Sequence, residues 1–153
     1  MISGGAGNLG LTTAETFMEL GATVTILDID AAFSGKVVTG LTSVLDNGAV
    51  PVSCDLTDEQ ATREAVRKAV SEMGKMDILV HCAGYVGTTD IPGWAVPFDQ
   101  QTVDAWDSAM RVNVTSAFVL VQEAQRALVA SGCGSVIFFA STYGLVGPDS
   151  HLY

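Results

Sequence analysis

A glycine-rich stretch near the start of the chain has the spacing of a phosphate-binding turn. Glycine stands at positions 4, 5, 7 and 10, and an amphipathic helical pattern follows directly. Glycine lets the backbone turn sharply and approach a pyrophosphate closely, and the N-terminus of the following helix offers unpaired N–H groups. Asp28 ends the next predicted strand, 24 residues after Gly4. This interval is close to the ~20 residues at which a carboxylate binds ribose hydroxyls, so the two features together predict a dinucleotide site.

The same glycine-rich stretch has two other possible interpretations. Gly5 and Gly10 have P-loop spacing, but Leu11 occupies the position of the phosphate-binding lysine. A site for nucleoside triphosphate hydrolysis is therefore rejected, because it lacks its central charge. The alternative that stays open is a purely structural glycine turn, with Asp28 as a solvated residue at a strand end.

Two polar residues further along the chain are candidates for catalysis. Asn113 lies in an apolar helical segment and, taken alone, is best interpreted as a buried amide with satisfied hydrogen bonds. Ser141 follows an apolar strand at its carboxyl end, where open α/β sheets bind ligands, although serine there is often only a turn former. A hydrolase triad of Ser141, Asp149 and His151 is rejected because no G-x-S-x-G elbow surrounds the serine. No metal site is predicted, because no group of ligands has the required spacing.

The glycine turn also carries a family resemblance. Residues 3–10 read Ser-Gly-Gly-Ala-Gly-Asn-Leu-Gly and resemble the cofactor turn of short-chain dehydrogenases/reductases, Thr-Gly-x-x-x-Gly-x-Gly. Ser3 stands in place of the threonine and Asn8 in place of the middle glycine. The same residues fit Gly-x-x-Gly-x-x-Gly, the spacing of the extended branch that includes sugar epimerases, so the turn alone leaves the branch open.

Further segments extend the resemblance to about residue 147. Residues 54–56 resemble the family's adenine-contacting segment, and residues 81–84 resemble its Asn-Asn-Ala-Gly segment, with histidine and cysteine in place of the two asparagines. Residues 106–114 resemble the helix that carries the catalytic asparagine, and residues 134–141 resemble the strand that ends in the catalytic serine. The order and spacing of these motifs favour the ordinary short reductase branch.

The resemblance implies a Rossmann-type α/β fold, with a doubly wound parallel sheet in three α/β/α layers, in one partial domain over residues 1–153. It implies an NAD(P)-dependent oxidoreductase that interconverts a secondary alcohol and a ketone by hydride transfer. In such enzymes the residue matching Ser141 hydrogen-bonds the substrate oxygen, and the residue matching Asn113 holds a water in a proton relay toward a lysine. Two alternatives stay open: a catalytically inactive dinucleotide-binding sensor or scaffold, and an extended-branch nucleotide-sugar epimerase or dehydratase.

The cofactor is predicted to be NAD rather than NADP. Asp28 would accept hydrogen bonds from the ribose hydroxyls and repel a 2′-phosphate. No lysine or arginine occurs in residues 3–10 or 28–35 to neutralise such a phosphate. The residues that the resemblance assigns to cofactor binding are Ser3, Gly4, Gly7, Asn8, Leu9, Gly10, Asp28, Ile29, Asp55, Leu56, Cys82, Ala83 and Gly84.

Strand patterns alternate with helical patterns along the chain, which predicts a parallel sheet covered on both faces. Pro51 places its strand at the sheet edge, whereas the continuously apolar strands 78–81 and 135–140 are predicted to be central. The predicted strands are residues 22–28, 49–54, 78–81 and 135–140, and the predicted helices start near residues 11, 57 and 102 and end near 21, 74 and 130.

Local details of the helices are also predicted. Thr57 and Gln60 have capping-box spacing at the start of the second helix. Any helix in residues 31–47 is weak, because Gly35 and Gly40 interrupt it. Residues 87–101 form a loop, whose Trp94 and Phe98 either line a substrate pocket or pin the loop.

One part of the longest predicted helix has no clear polar side. Residues 114–121 are apolar nearly all round, so this stretch is either deeply buried or covered by another subunit. The family resemblance implies the second arrangement, in a homodimer or homotetramer.

Composition limits the partners and the compartment. The 153 residues fit one domain, and a formal charge of −10 disfavours binding to nucleic acid. Three widely spaced cysteines favour a reducing compartment. The sequence shows neither a transmembrane run nor a signal peptide, so the protein is expected to be cytoplasmic and without membrane contact. The family resemblance implies that its substrate is a small alcohol or ketone.

The chain is expected to be a partial sequence, cut at both ends, and unstable and inactive alone. Only Ile2 remains of the strand before the glycine turn, and the Tyr-x-x-x-Lys segment implied by the resemblance is not seen. Tyr153 follows Ser141 by 12 residues, one short of the interval usual in the family. The catalytic tyrosine is therefore predicted to lie beyond Tyr153.

Overall fold

Five parallel strands form a single sheet in the order β3-β2-β1-β4-β5. The computed structural model describes residues 1–45, 48–86 and 89–146. The strands are β1 (Ile2–Ser3), β2 (Val24–Asp28), β3 (Ala49–Ser53), β4 (Ile78–His81) and β5 (Ser135–Phe138). Helices connect them, so the predicted doubly wound Rossmann-type fold is confirmed.

Helices cover both faces of the sheet. They are α1 (Asn8–Glu19), α2 (Ala31–Val44), α3 (Glu59–Met73), α4 (Val103–Met110), a π-helical turn (Arg111–Thr115) and α5 (Ser116–Ala130). Neighbouring strand residues point to opposite faces: Ile26 packs in a core cluster with α1 and α2, and Leu27 in a second cluster with α3 and α5. Two cores, one on each face, make the three layers. None of the helices in the described residues is long and apolar enough to span a membrane.

The middle strand, β1, is only two residues long. Ile2 pairs with Ile26 and Val80, and Ser3 pairs with Leu27 and His81. The backbone nitrogen of Met1 donates to the Ile78 carbonyl over 2.9 Å. Because β1 ends at Ser3, the glycine turn lies directly at the carboxyl ends of β2 and β4.

The positions of β3 and β5 in the sheet can be compared with two predictions from the sequence. Pro51 lies in β3, which pairs only with β2 among the described residues, so its predicted edge position is confirmed. Strand β5 pairs with β4 among the described residues, and the central position of strand 135–140 in the whole protein stays a prediction. Its Val136, Ile137 and Phe138 are 39 to 52% exposed. An apolar run predicts that a strand needs cover, but it does not identify the element that covers it.

Helix α2 forms over 14 residues despite Gly35 and Gly40, so the prediction of an interrupted helix is wrong. Asp30 caps the helix by accepting from the Phe33 N–H over 2.8 Å, and Leu41 is buried against the core. Each glycine costs roughly 1 kcal/mol relative to alanine, and capping and burial offset this amount.

One predicted helix cap is wrong. At the start of α3 it is Asp58, not Thr57, that caps, since its carboxylate accepts from the Ala61 N–H over 3.0 Å. Thr57 instead donates to Asp55 over 2.8 Å. Gly74, with φ of 72°, ends α3 as predicted. The long helix predicted from residue 102 to 130 is confirmed in extent, but the π-helical turn inside it was not predicted.

Candidate cofactor and active site

The glycine turn is packed directly against the backbone that follows β4. Gly4 has a φ of +65°, and a Cβ there would lie 2.6 Å from the backbone nitrogen of Ala83. A Cβ at Gly10 would collide with the Gly4 carbonyl oxygen, so α1 can begin close to the turn only because this residue has no side chain. Both positions therefore require glycine for steric reasons, independently of any ligand.

Asp28 joins the end of β2 to the glycine turn. One carboxylate oxygen accepts from the Ala6 N–H over 3.1 Å, and the other accepts from the Ile29 N–H over 2.8 Å. A carboxylate oxygen has more than one acceptor site, so both oxygens can accept further hydrogen bonds. The side chain predicted to bind ribose also fixes the turn that would hold the phosphates.

A cleft of about 300 Å³ opens at the carboxyl ends of the strands. Other cavities, of about 250 and 320 Å³, lie at the amino ends of the strands and between α1 and α2, away from the glycine turn. The cleft is lined by Gly4, Gly7, Asp28, Ile29, Cys54, Asp55, Leu56, Cys82, Ala83, Gly84, Tyr85, Thr89 and Val112. Nine of the thirteen predicted cofactor residues thus line one cleft.

The other four predicted residues lie outside the lining of the cleft. Asn8 and Leu9 are exposed in the first turn of α1, whereas Gly10 is buried beneath it. Ser3 is fully buried, and its hydroxyl lies 2.6 Å from Nδ1 of His81. The side chain of Ser3 therefore faces the protein interior.

Cys54 also lines the cleft and belongs to the segment that resembles the family's adenine contact, whereas the lining residues Tyr85, Thr89 and Val112 were not predicted to bind the cofactor. Tyr85 and Val112 are direct neighbours of predicted site residues, so extending each motif by one position would have found them. Burial and the nearby Asp55 carboxylate raise the pKa of Tyr85, and burial raises the pKa of the Cys82 thiol. No sequence pattern indicates Thr89, which lies in an irregular loop.

Asn113 lies in the π-helical turn and is exposed, so its interpretation as a buried amide is wrong. Its Oδ1 accepts from the Tyr85 N–H over 2.7 Å, and its Nδ2 donates to the Tyr85 carbonyl over 3.4 Å. The side chain thereby ties the helix to the loop after β4. Such π turns are frequent at functional sites, because the extra residue redirects a side chain.

Ser141 is exposed and lies three residues beyond the end of β5. Its Oγ accepts from the Tyr143 N–H over 3.1 Å and caps the short 3-10 helix Thr142–Gly144. Serine therefore does form a turn here, and its hydroxyl hydrogen remains able to donate. Asp149, His151 and Tyr153 lie outside the described residues. Within the described residues, no three side chains of metal-binding type come together.

Comparison with known proteins decides the family. The family model described as short chain dehydrogenase matches residues 1–152. The chain belongs to the short-chain dehydrogenase family. It is 34% identical to short-chain dehydrogenase reductase 5 of Arabidopsis thaliana, covering 100% of this chain and 56% of that protein. It is 31% identical to secoisolariciresinol dehydrogenase of Forsythia intermedia, covering 100% of this chain and 53% of that protein.

A solved structure agrees with the short-chain dehydrogenase fold. NAD+-bound xylitol dehydrogenase superposes with a TM-score of 0.83 at 28% identity, over 96% of this chain and 54% of that one. The chain thus spans about half the length of the relatives that it matches.

The tight contact at Gly4 gives a stability prediction. Gly4→Ala is expected to destabilise the whole gene product by about 2 kcal/mol or more, because the collision with Ala83 adds to a backbone cost of roughly 1–2 kcal/mol at positive φ. Gly74→Ala is the matched control, since its φ is +72° and no atom lies within 4 Å of the added Cβ. Urea unfolding measures both variants. Equal losses of stability would contradict the close contact.

Proposed function

We propose that the whole protein is an NAD-dependent oxidoreductase that interconverts a secondary alcohol and a ketone. The observation that carries this proposal is the cleft at the carboxyl ends of the strands, where the glycine turn and the Asp28 carboxylate are joined by a hydrogen bond. A turn of N–H groups fits a pyrophosphate, and a carboxylate next to it fits a ribose diol. Membership of the short-chain dehydrogenase family supports the same chemistry.

The cofactor would lie across the cleft with its parts matched to the lining. The turn at Gly4 and Gly7 and the N-terminus of α1 would hold the phosphates, and Asp28 would accept from the ribose hydroxyls. Leu56 and Val112 give the cleft an apolar section that suits a base. When bound, NAD would supply the hydride acceptor of the reaction.

Two residues of this chain would act near the substrate. The Ser141 hydroxyl would donate to the substrate oxygen, a role that its exposed position after β5 permits. Asn113 would hold a water molecule on its exposed side while Tyr85 fixes the orientation of the amide. Similarity to secoisolariciresinol dehydrogenase and xylitol dehydrogenase supports an alcohol as the substrate.

The cofactor preference can be tested on Asp28. Asp28→Ala should narrow the ratio of NAD to NADP affinity roughly tenfold or more, because it removes charged hydrogen bonds to ribose and the repulsion of a 2′-phosphate. Calorimetric titration of both cofactors into the whole gene product measures the ratio. Asp30→Asn is the control, since it removes a nearby charge from an exposed cap outside the cleft. Tighter binding of NADP by the unmodified protein would refute the preference.

The reaction itself is tested by following NADH with a panel of polyols and cyclic secondary alcohols. Ser141→Ala and Asn113→Ala should each lower kcat by about 10²–10⁴ if they assist the proton transfer. Tyr153→Phe should leave kcat near normal, because we propose that the acid/base tyrosine lies further along. A loss of several orders of magnitude in Tyr153→Phe would identify Tyr153 as the acid/base. Cofactor binding without turnover of any alcohol would instead favour the inactive sensor.

We also propose that the protein associates through an apolar stripe on its longest helical segment. Val103, Trp106, Met110, Val114 and Phe118 recur every three or four residues and are 43 to 73% exposed. Val119 and Leu120 point the other way and are buried, so only one side of the apolar stretch is used by the sheet. An exposed apolar stripe of this kind fits a symmetric contact between identical chains.

Charge on the apolar stripe should break this association. Phe118→Glu is expected to shift the whole gene product to a smaller species in light scattering, because a carboxylate would be buried in the contact. Leu20→Glu is the control, as Leu20 is 79% exposed and lies outside the stripe. An unchanged mass for Phe118→Glu would exclude the stripe as the interface.

A further inference from the structure

A pair of buried polar side chains lies directly beneath the glycine turn. Ser3 of β1 is 0% exposed and His81 of β4 is 4% exposed, and Oγ of the serine lies 2.6 Å from Nδ1 of the imidazole. Neither side chain lines the cofactor cleft. These are also two of the positions at which the chain departs from the family's motifs, and the two departures touch each other.

The Ser3–His81 pair lies between the glycine turn and β5, the strand that precedes Ser141. The carbonyl of Ser3 accepts from the Cys82 N–H over 2.9 Å, and Gly4 follows at once on the closely packed turn. The imidazole meets Phe138 of β5 edge-on, with 6.1 Å between the ring centres. Phe138 ends the strand that precedes Ser141. The imidazole is therefore at the junction of the cofactor turn and the strand that leads to Ser141.

The surroundings of His81 favour an uncharged ring. Burial lowers the pKa of His81, and the Val112 carbonyl only partly offsets this effect. Three uncharged groups interact with the ring: Ser3 from β1, Phe138 from β5 and the Val112 backbone from the π-helical turn. Within the described part of the chain, Nε2 has no hydrogen-bond partner. A protonated ring would place a charge in this buried site with no carboxylate among these neighbours to compensate it, which is unfavourable.

We propose that Ser3 and His81 form a positioning pair, which holds the glycine turn in its cofactor-binding shape only while the imidazole is uncharged. The inference rests on the proposed dinucleotide site and adds acid sensitivity to it. Proton uptake would force the ring toward water, separate it from Ser3 and displace the turn that begins at Gly4. Cofactor binding should then weaken in acid although the His81 side chain does not line the cofactor cleft.

A set of variants in the whole gene product tests the pair through NAD affinity near neutral pH. Ser3→Ala and His81→Leu should each weaken NAD binding about five- to tenfold, the effect of one lost hydrogen bond, and the double variant should be no weaker than the worse single variant. His81→Asn should remain within about twofold of the unmodified protein, because its side-chain amide can still bond Ser3. Thr25→Val is the matched control, since it removes a buried hydroxyl that has no partner among the described residues.

A pH series separates positioning from a merely structural role. The unmodified protein should lose NAD affinity as the pH falls from about 6.5, the ordinary pKa of histidine, through the lowered pKa of His81, whereas His81→Asn should show no such loss. His151→Gln, which removes the other histidine of the chain, should behave like the unmodified protein. This comparison decides the matter even if Ser3→Ala or His81→Leu fails to fold.

Three results would overturn the inference. They are equal pH profiles for the unmodified protein and His81→Asn, additive losses in the double variant, and NAD affinities unchanged in both single variants. An unmodified protein that binds neither NAD nor NADP is a different outcome, because it refutes the proposed function before any variant is compared.

Discussion

The contact between the glycine turn and the backbone after β4 is the constraint on which the site depends. Gly4 must have a positive φ and no side chain, because the backbone of Ala83 occupies the space that a Cβ would need. The start of α1 and the carboxylate of Asp28 follow from this contact, the first through Gly10 and the second through the N–H of Ala6.

Local patterns in the sequence predicted the elements that depend on neighbouring residues. The end of α3 at Gly74 and the edge position of Pro51 follow from the conformational limits of single residues, and both are confirmed. The predictions that failed depend on distant contacts. Helix α2 forms because Leu41 is buried in a core built by other segments.

The candidate site could also be predicted from the sequence only in part. Most of the residues that line the cleft occur in motifs at strand ends, so their positions could be predicted from the sequence. The directions of their side chains could not. Ser3 points away from the cleft toward a histidine 78 residues later in the chain, and Asn113 is exposed rather than buried. Such pairings depend on strand order and on the π-helical turn, neither of which has a local pattern.

The side chain of Asn113 has a consequence for the sheet as well as for chemistry. It accepts from the N–H of Tyr85 and donates to the carbonyl of the same residue. A residue in an antiparallel sheet exchanges the same two hydrogen bonds with the residue opposite. The amide thus gives the backbone of Tyr85, beyond the end of β4, the two hydrogen bonds that a neighbouring strand would supply. Only a primary amide carries the donor and the acceptor together at this length, since aspartate has no donor and leucine has neither. The same side chain that would hold a water molecule also fixes the backbone of the loop after β4.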